Sequence, residues 1–228
     1  MRVGCAGRPI LSGLVADLPI ALEGDLATLL TNSLDVEGKI LRALDALGPI
    51  AGRDVVFLGA ADSLRAGQLT AAGSRLVCVD DLDGVAALGE SRADALLGWW
   101  SGFRGVTAAD LRVADALLRP GGRILVVHDY GRDDVSRLRG DLPEYGAWSR
   151  RNGPFLSNGF RIRVLHCWWT FDSIENARGF LERAFGQAGA DLAAGLKRPR
   201  LSYNVAVYHR TRGEAESPMA AEPVATPA

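Results

Sequence analysis

At 228 residues the chain is long enough for one large domain, or one domain with appendages. Hydrophobic residues make up 48%, charged residues 23%, and the formal net charge is -1, values of an ordinary globular protein rather than a disordered one. No apolar run approaches the roughly 18–20 residues that span a bilayer, and Asp17 and Pro19 interrupt Ile10 to Ala16 before a signal peptide could form, so a cytoplasmic protein without a membrane partner is expected.

Val36, Ile40, Leu41, Leu44 and Leu47 recur at helical spacing after Ser33, which reads as an N-cap, and Gly48-Pro49 ends the run. This predicts an amphipathic helix within an N-terminal helical segment, residues 1–50. Asp54 to Gly59 is then a continuous apolar run of β-forming residues, the pattern of a strand covered on both faces. Arg75 to Asp80 is a second such run, and Ser63 to Ala72 between them has the length of a crossover helix closed by Gly73. Ala93 to Trp100 is a third strand. A helix opened by Thr107 and Asp110 in a capping-box arrangement follows, with Leu111, Ala114, Leu117 and Leu118 on one face.

After the turn Arg119-Pro120-Gly121-Gly122 comes the strand Ile124 to His128. Asp129 to Phe160 then breaks the rhythm, with one short polar helix near 132–138 inside an elaborated loop. Arg161 to Phe171 reads as a long strand in which His166 and Cys167 are core residues, Ser173 to Phe185 as a helix, and Leu201 to His209 as the last strand. Residues 51–210 thus form the main α/β domain. Thr211 to Ala228, with three prolines and no apolar period, reads as a disordered tail. Cys5, Cys78 and Cys167 lack metal-site or disulfide spacing and read as buried small hydrophobes.

Strand and helix alternate, which predicts a parallel sheet with right-handed crossovers and a ligand site at the carboxyl ends of the strands. The first strand ends in Gly59-Ala60-Ala61-Asp62-Ser63 before a helix N-terminus, where free backbone N–H groups can hold a ligand. The second ends in Asp80, placed to accept hydrogen bonds from both hydroxyls of a ribose. A dinucleotide suits this loop poorly. Ala61 stands where pyrophosphate needs a glycine, and Asp62 would set negative charge beside two phosphates. Trp99, Trp100, Ser101 and Phe103 at one strand end, and His128, Asp129 and Tyr130 at the next, are placed to wall a pocket and to take up a proton. Residues 132–163 carry a modest arginine excess, short of the basic stripe that nucleic acid requires.

The apolar strand ending at Gly59, the acid at Asp80, the turn Leu118-Arg119-Pro120-Gly121-Gly122 before Ile124 to Val127, and the closing strand-helix-strand from Arg161 to His209 resemble the class I S-adenosylmethionine-dependent methyltransferases. The resemblance covers roughly residues 36–209. It implies a Rossmann-like methyltransferase fold: six strands near 54–59, 75–80, 93–100, 123–128, 161–170 and 202–209, mostly parallel, with the last antiparallel. The short connection Asp81 to Arg92 leaves no room for the family's third strand. The implied cofactor is S-adenosyl-L-methionine, held by Gly59, Ala60, Ala61, Asp62, Asp80, Asp81 and Trp99, with His128, Asp129 and Tyr130 as the catalytic set, a small molecule as methyl acceptor and no metal. The chain departs from the family's loop. Phe57 replaces its usual acid, and Ala61 and Ser63 replace two of its glycines. The alternative is a catalytically inactive methyltransferase-like module that binds a ligand or a protein partner.

Overall fold

The computed structural model describes residues 20, 22–100, 103, 106–140 and 143–213. The expected tail beyond residue 213 and the wall residue Ser101 lie outside them. Helices α1 (Gly24–Ser33) and α2 (Lys39–Leu47) precede β1 (Asp54–Leu58), after which come α3 (Leu64–Ala71), β2 (Arg75–Val79), α4 (Leu82–Ala87) and β3 (Ala93–Trp99). The chain continues through α5 (Ala108–Leu117), β4 (Leu118–Asp129), α6 (Asp134–Leu138), α7 (Pro143–Trp148), the 3-10 turn Leu156–Asn158, β5 (Arg161–Thr170), α8 (Ile174–Ala194) and β6 (Arg200–Thr211).

The six strands form one sheet in the order β2-β1-β3-β4-β6-β5. β1 pairs in parallel with β2 and β3, and β3 with β4, while β6 runs antiparallel between β4 and β5. The expected insertion of an antiparallel last strand is therefore present. The connection between β2 and β3 holds only α4 and no strand, as expected, and among the described residues β2 is an outer edge.

Alternation along the strands sorts side chains onto two faces. Val55, Phe57, Leu97, Trp99, Leu125, Val127, Tyr203, Val205 and Val207 pack with α1, α2, α3 and α8. Val56, Leu58, Leu96, Ile124, Val126, Ala206 and Tyr208 pack with α4, α5 and the segment around Trp148, Phe155 and Phe160. The helix starts follow their side-chain caps. Ser63 accepts from the Ala66 amide at 3.1 Å, Asp81 from Gly84 at 2.9 Å, and Thr107 and Asp110 form the expected capping box.

Several expectations are corrected. The helix read as starting after Ser33 starts later: Ser33 ends the preceding α1, donating its hydroxyl back to the Leu29 carbonyl at 2.7 Å, and α2 starts only at Lys39. Val36 is 63% exposed because it sits in the link between them. β2 is not covered on both faces, since at an edge without a third strand Val77 stays 46% exposed and Cys78 only half-buried. The Arg119–Gly122 turn lies inside the long β4 as an irregularity that shifts the register with β3 between Ala93 and Ala95, with Gly121 at φ 77°. α8 continues to Ala194 through a break at Gly186 (φ 58°), where the helical pattern stops at Phe185. β6 runs on to Thr211, and His166 is exposed on edge strand β5 rather than core.

Candidate functional site

The carboxyl ends of β1, β3 and β4 meet the N-terminus of α3. β1 and β3 are in register at Leu58 and Gly98, so Gly59 and Trp99 emerge side by side. The Gly59 amide donates to the Val79 carbonyl at 3.0 Å, which ties the turn to β2. Ala60, Ala61 and Asp62 are exposed, and Ser63 caps α3. Asp80 is exposed just past β2, and no described residue hydrogen-bonds or ion-pairs with its carboxylate; Asp81 beside it caps α4.

Below this turn the side chains are buried. The Phe57 ring is fully buried and lies under Gly59, so close that a Cβ added there would stand 2.6 Å from Phe57 Cε1. Arg65, on the first turn of α3 and 2% exposed, lays its guanidinium 4.8 Å from the Trp99 ring and 5.3 Å from that of Trp100, and donates to Gln68 Oε1 at 2.9 Å. Trp99 and Trp100 are buried, and the Trp100 ring packs 6.3 Å from Tyr203. The chain takes φ 56° at Trp100 and 40° at Phe103, left-handed values that cost a bulky residue energy, and the Trp100 amide is held by the Val127 carbonyl at 2.9 Å.

The sheet sends the three candidate catalytic residues in different directions. His128 points to the opposite face from Asp129. It is buried with its ring 4.6 Å from Trp148 and 5.9 Å from Phe155, and Nε2 lies 3.3 Å from the Phe103 carbonyl oxygen. Asp129 accepts from the Tyr203 hydroxyl and from Arg139. Tyr130 is half-buried, with the Arg132 guanidinium 5.8 Å from its ring and its amide donating to Asn204. Beyond them Asp133 caps α6 through Ser136 at 2.6 Å and accepts from the Asn204 amide at 2.7 Å, and burial holds its carboxyl above the usual range. Sequence reasoning missed Arg65 and Tyr203. Arg65 sits at an inward position of a helix read only for its length, and Tyr203 in a strand read only for its apolar run.

A second polar cluster lies where α2 meets β5. Asp35 (φ 54°) accepts from the amides of Lys39 at 2.9 Å and Ile40 at 2.8 Å, and burial raises its carboxyl. Cys167 beside it is pushed up to about 12 by burial and by that carboxylate, so its thiol is protonated and inert.

S-adenosylmethionine fits this arrangement at one end only. The ribose side, Asp80 with the exposed turn Ala60 to Asp62, offers an uncommitted carboxylate. The sulfonium and ammonium side would meet the buried Phe57 ring in place of the family's acid.

No protein-family model and no curated protein matches the sequence. Among solved structures, a candidate type II methyltransferase from Anaeromyxobacter dehalogenans is 14% identical over 76% of this chain and 95% of its own, with a TM-score of 0.45. A candidate methyltransferase from Bacillus halodurans is 12% identical over 83% and 99%, with a TM-score of 0.41. Geranyl diphosphate methyltransferase, solved with GPP and sinefungin, is 17% identical over 77% and 78%, with a TM-score of 0.36. At such identities and scores these likenesses carry no argument of their own; the sheet, in the order β2-β1-β3-β4-β6-β5 with β6 alone antiparallel, has the strand arrangement that the sequence resemblance implies.

Proposed function

We propose that the chain is a methyltransferase-fold binding module rather than a working methyltransferase. The observation that carries this reading is the burial of four large side chains at the strand ends. Arg65, Trp99, Trp100 and Tyr203 are 2%, 1%, 7% and 1% exposed, where the sequence resemblance would have donor and acceptor held in line. The candidate acid–base groups are committed as well, His128 to an aromatic cluster on the other face and Asp129 to Arg139 and Tyr203. A proton acceptor already bound to two internal donors is poorly placed to serve a substrate.

The second reading, S-adenosylmethionine-dependent transfer to a small-molecule acceptor, is favoured by one observation: Asp80 stands exposed and uncommitted beside the Gly59–Asp62 turn. In that reading Gly59, Ala60, Ala61, Asp62, Asp80, Asp81 and Trp99 would hold the cofactor, which supplies the methyl group.

Calorimetric titration separates the two. The module reading expects no saturable binding of S-adenosylmethionine at millimolar concentration. A micromolar dissociation constant that Asp80→Ala weakens by about 1–3 kcal/mol, the cost of losing hydrogen bonds to a charged acceptor, would overturn it and establish the cofactor site.

A further inference from the structure

We infer that the outer edge of β2 pairs antiparallel with the β2 edge of a second copy of this chain, filling the place left by the missing third strand. The peptide groups there point outward in a regular series. The Arg75 amide donates to the Arg53 carbonyl and the Val79 carbonyl accepts from Gly59, so the odd-numbered residues turn their peptide groups toward β1. Those of Leu76 and Cys78 therefore face away from the sheet, where β2 has no neighbour among the described residues. An edge of this kind templates another strand unless charge, proline or a covering element blocks it.

The side chains choose the occupant. Val79 packs on the α4 face and Leu76 and Cys78 on the α3 face, so alternation puts Arg75, Val77 and Val79 together on one side. Arg75 is drawn toward β1 by Asp54 and the Gly52 carbonyl, which leaves the two valines to meet a partner. A two-fold axis at Cys78 sets Val77 opposite the second copy's Val79 and covers the 46% exposed Val77. Moving the axis to Val77 would set Val79 opposite the second copy's Arg75. The other edge of the sheet is closed to this use. At β5 the Asp35 amide donates to the Trp168 carbonyl at 3.2 Å, Leu34 bridges to Trp169, and the exposed Arg161 and Arg163 would repel their own copies.

The test is sedimentation equilibrium of the full chain from micromolar to near-millimolar concentration, with a thermal melt of each variant to confirm folding. Wild type is expected to shift from 24.3 kDa to twice that mass. Val77→Lys should weaken self-association at least tenfold. The axis also brings the two Cys78 residues face to face, with Cα atoms about 5.5 Å apart. Mild oxidation should therefore link the wild type into a covalent dimer that Cys78→Ser abolishes. A wild type that stays monomeric at all concentrations, a dimer indifferent to Val77→Lys, or a covalent dimer that survives Cys78→Ser would each overturn the pairing.

Discussion

Gly59 and Gly67 lie eight residues apart, yet a methyl group has opposite meanings at the two. At Gly59 it would meet Phe57 Cε1 at 2.6 Å and Cζ at 2.7 Å, and that ring is buried on every side. Either the ring leaves its rotamer or the turn shifts, at a cost typical of overpacking. Gly59→Ala should lower unfolding stability by about 1–3 kcal/mol in urea titration. At Gly67 in mid-α3 nothing stands within 4 Å, so Gly67→Ala gains helix propensity and should raise stability by about 0.5–1 kcal/mol. Equal effects at both positions would contradict the packing of Phe57 beneath the turn. The same ring stands where the resemblance led one to look for an acid, so the residue that departs from the pattern is also the one that fills the space.

Among the elements, those marked by local chemistry were legible in the sequence. The capping box at Thr107 and Asp110, the apolar run of β1 and the antiparallel closing strand all stand where they were expected. What was not legible depends on neighbours far along the chain. Nothing in Arg75 to Val79 alone says that one side lacks a strand, nothing in Asp129 that Tyr203 will bind it, and nothing in Arg65 that two tryptophans wait opposite its helix. The start of α2 is a further case. Asp35 rather than Ser33 supplies the cap, reaching two amides across a left-handed turn (φ 54°) that L-residues other than Asn and Asp rarely adopt. Asp35→Ala loses the cap and keeps the strained conformation, so stability should fall by about 2 kcal/mol. Asp35→Asn should cost less than half as much, because Asn tolerates that conformation, can still accept, and removes a charge that burial already disfavours. Urea denaturation of the two variants side by side decides it. An alanine variant no less stable than the asparagine one would mean the cap contributes nothing.

Across the whole molecule, the two ends of the sheet are built differently. The carboxyl end is packed with rings, while the amino end is held by charge. Asp54 of β1 accepts from Arg75 Nε of β2 at 2.6 Å and from Arg119 of β4 at 2.8 Å, and Arg119 also donates to Asp94 of β3 at 2.9 Å. Four strands are thereby joined through two carboxylates and two guanidiniums. The hydrogen bonds from Arg75 and Arg119 hold the Asp54 carboxyl down at about 2. Burial works against Asp94, yet the Asp54 amide and Arg119 keep it below its usual value too. A carboxyl lowered on folding adds stability that is complete above its unfolded value, near 4, and disappears as pH falls through its folded value, near 2. Asp54 is 32% exposed and its partners more so, and solvent screening limits the contribution to about 1 kcal/mol. Other carboxyls titrate over the same range, so the informative quantity is the difference between wild type and Arg119→Leu. That variant leaves Asp94 without its guanidinium and Asp54 with only one. It should be less stable than wild type at pH 7, and the two should converge as pH falls from 4 to 2. A stability gap that stays constant down to pH 2 would show that Arg119 acts through packing of its stem and not through its charge.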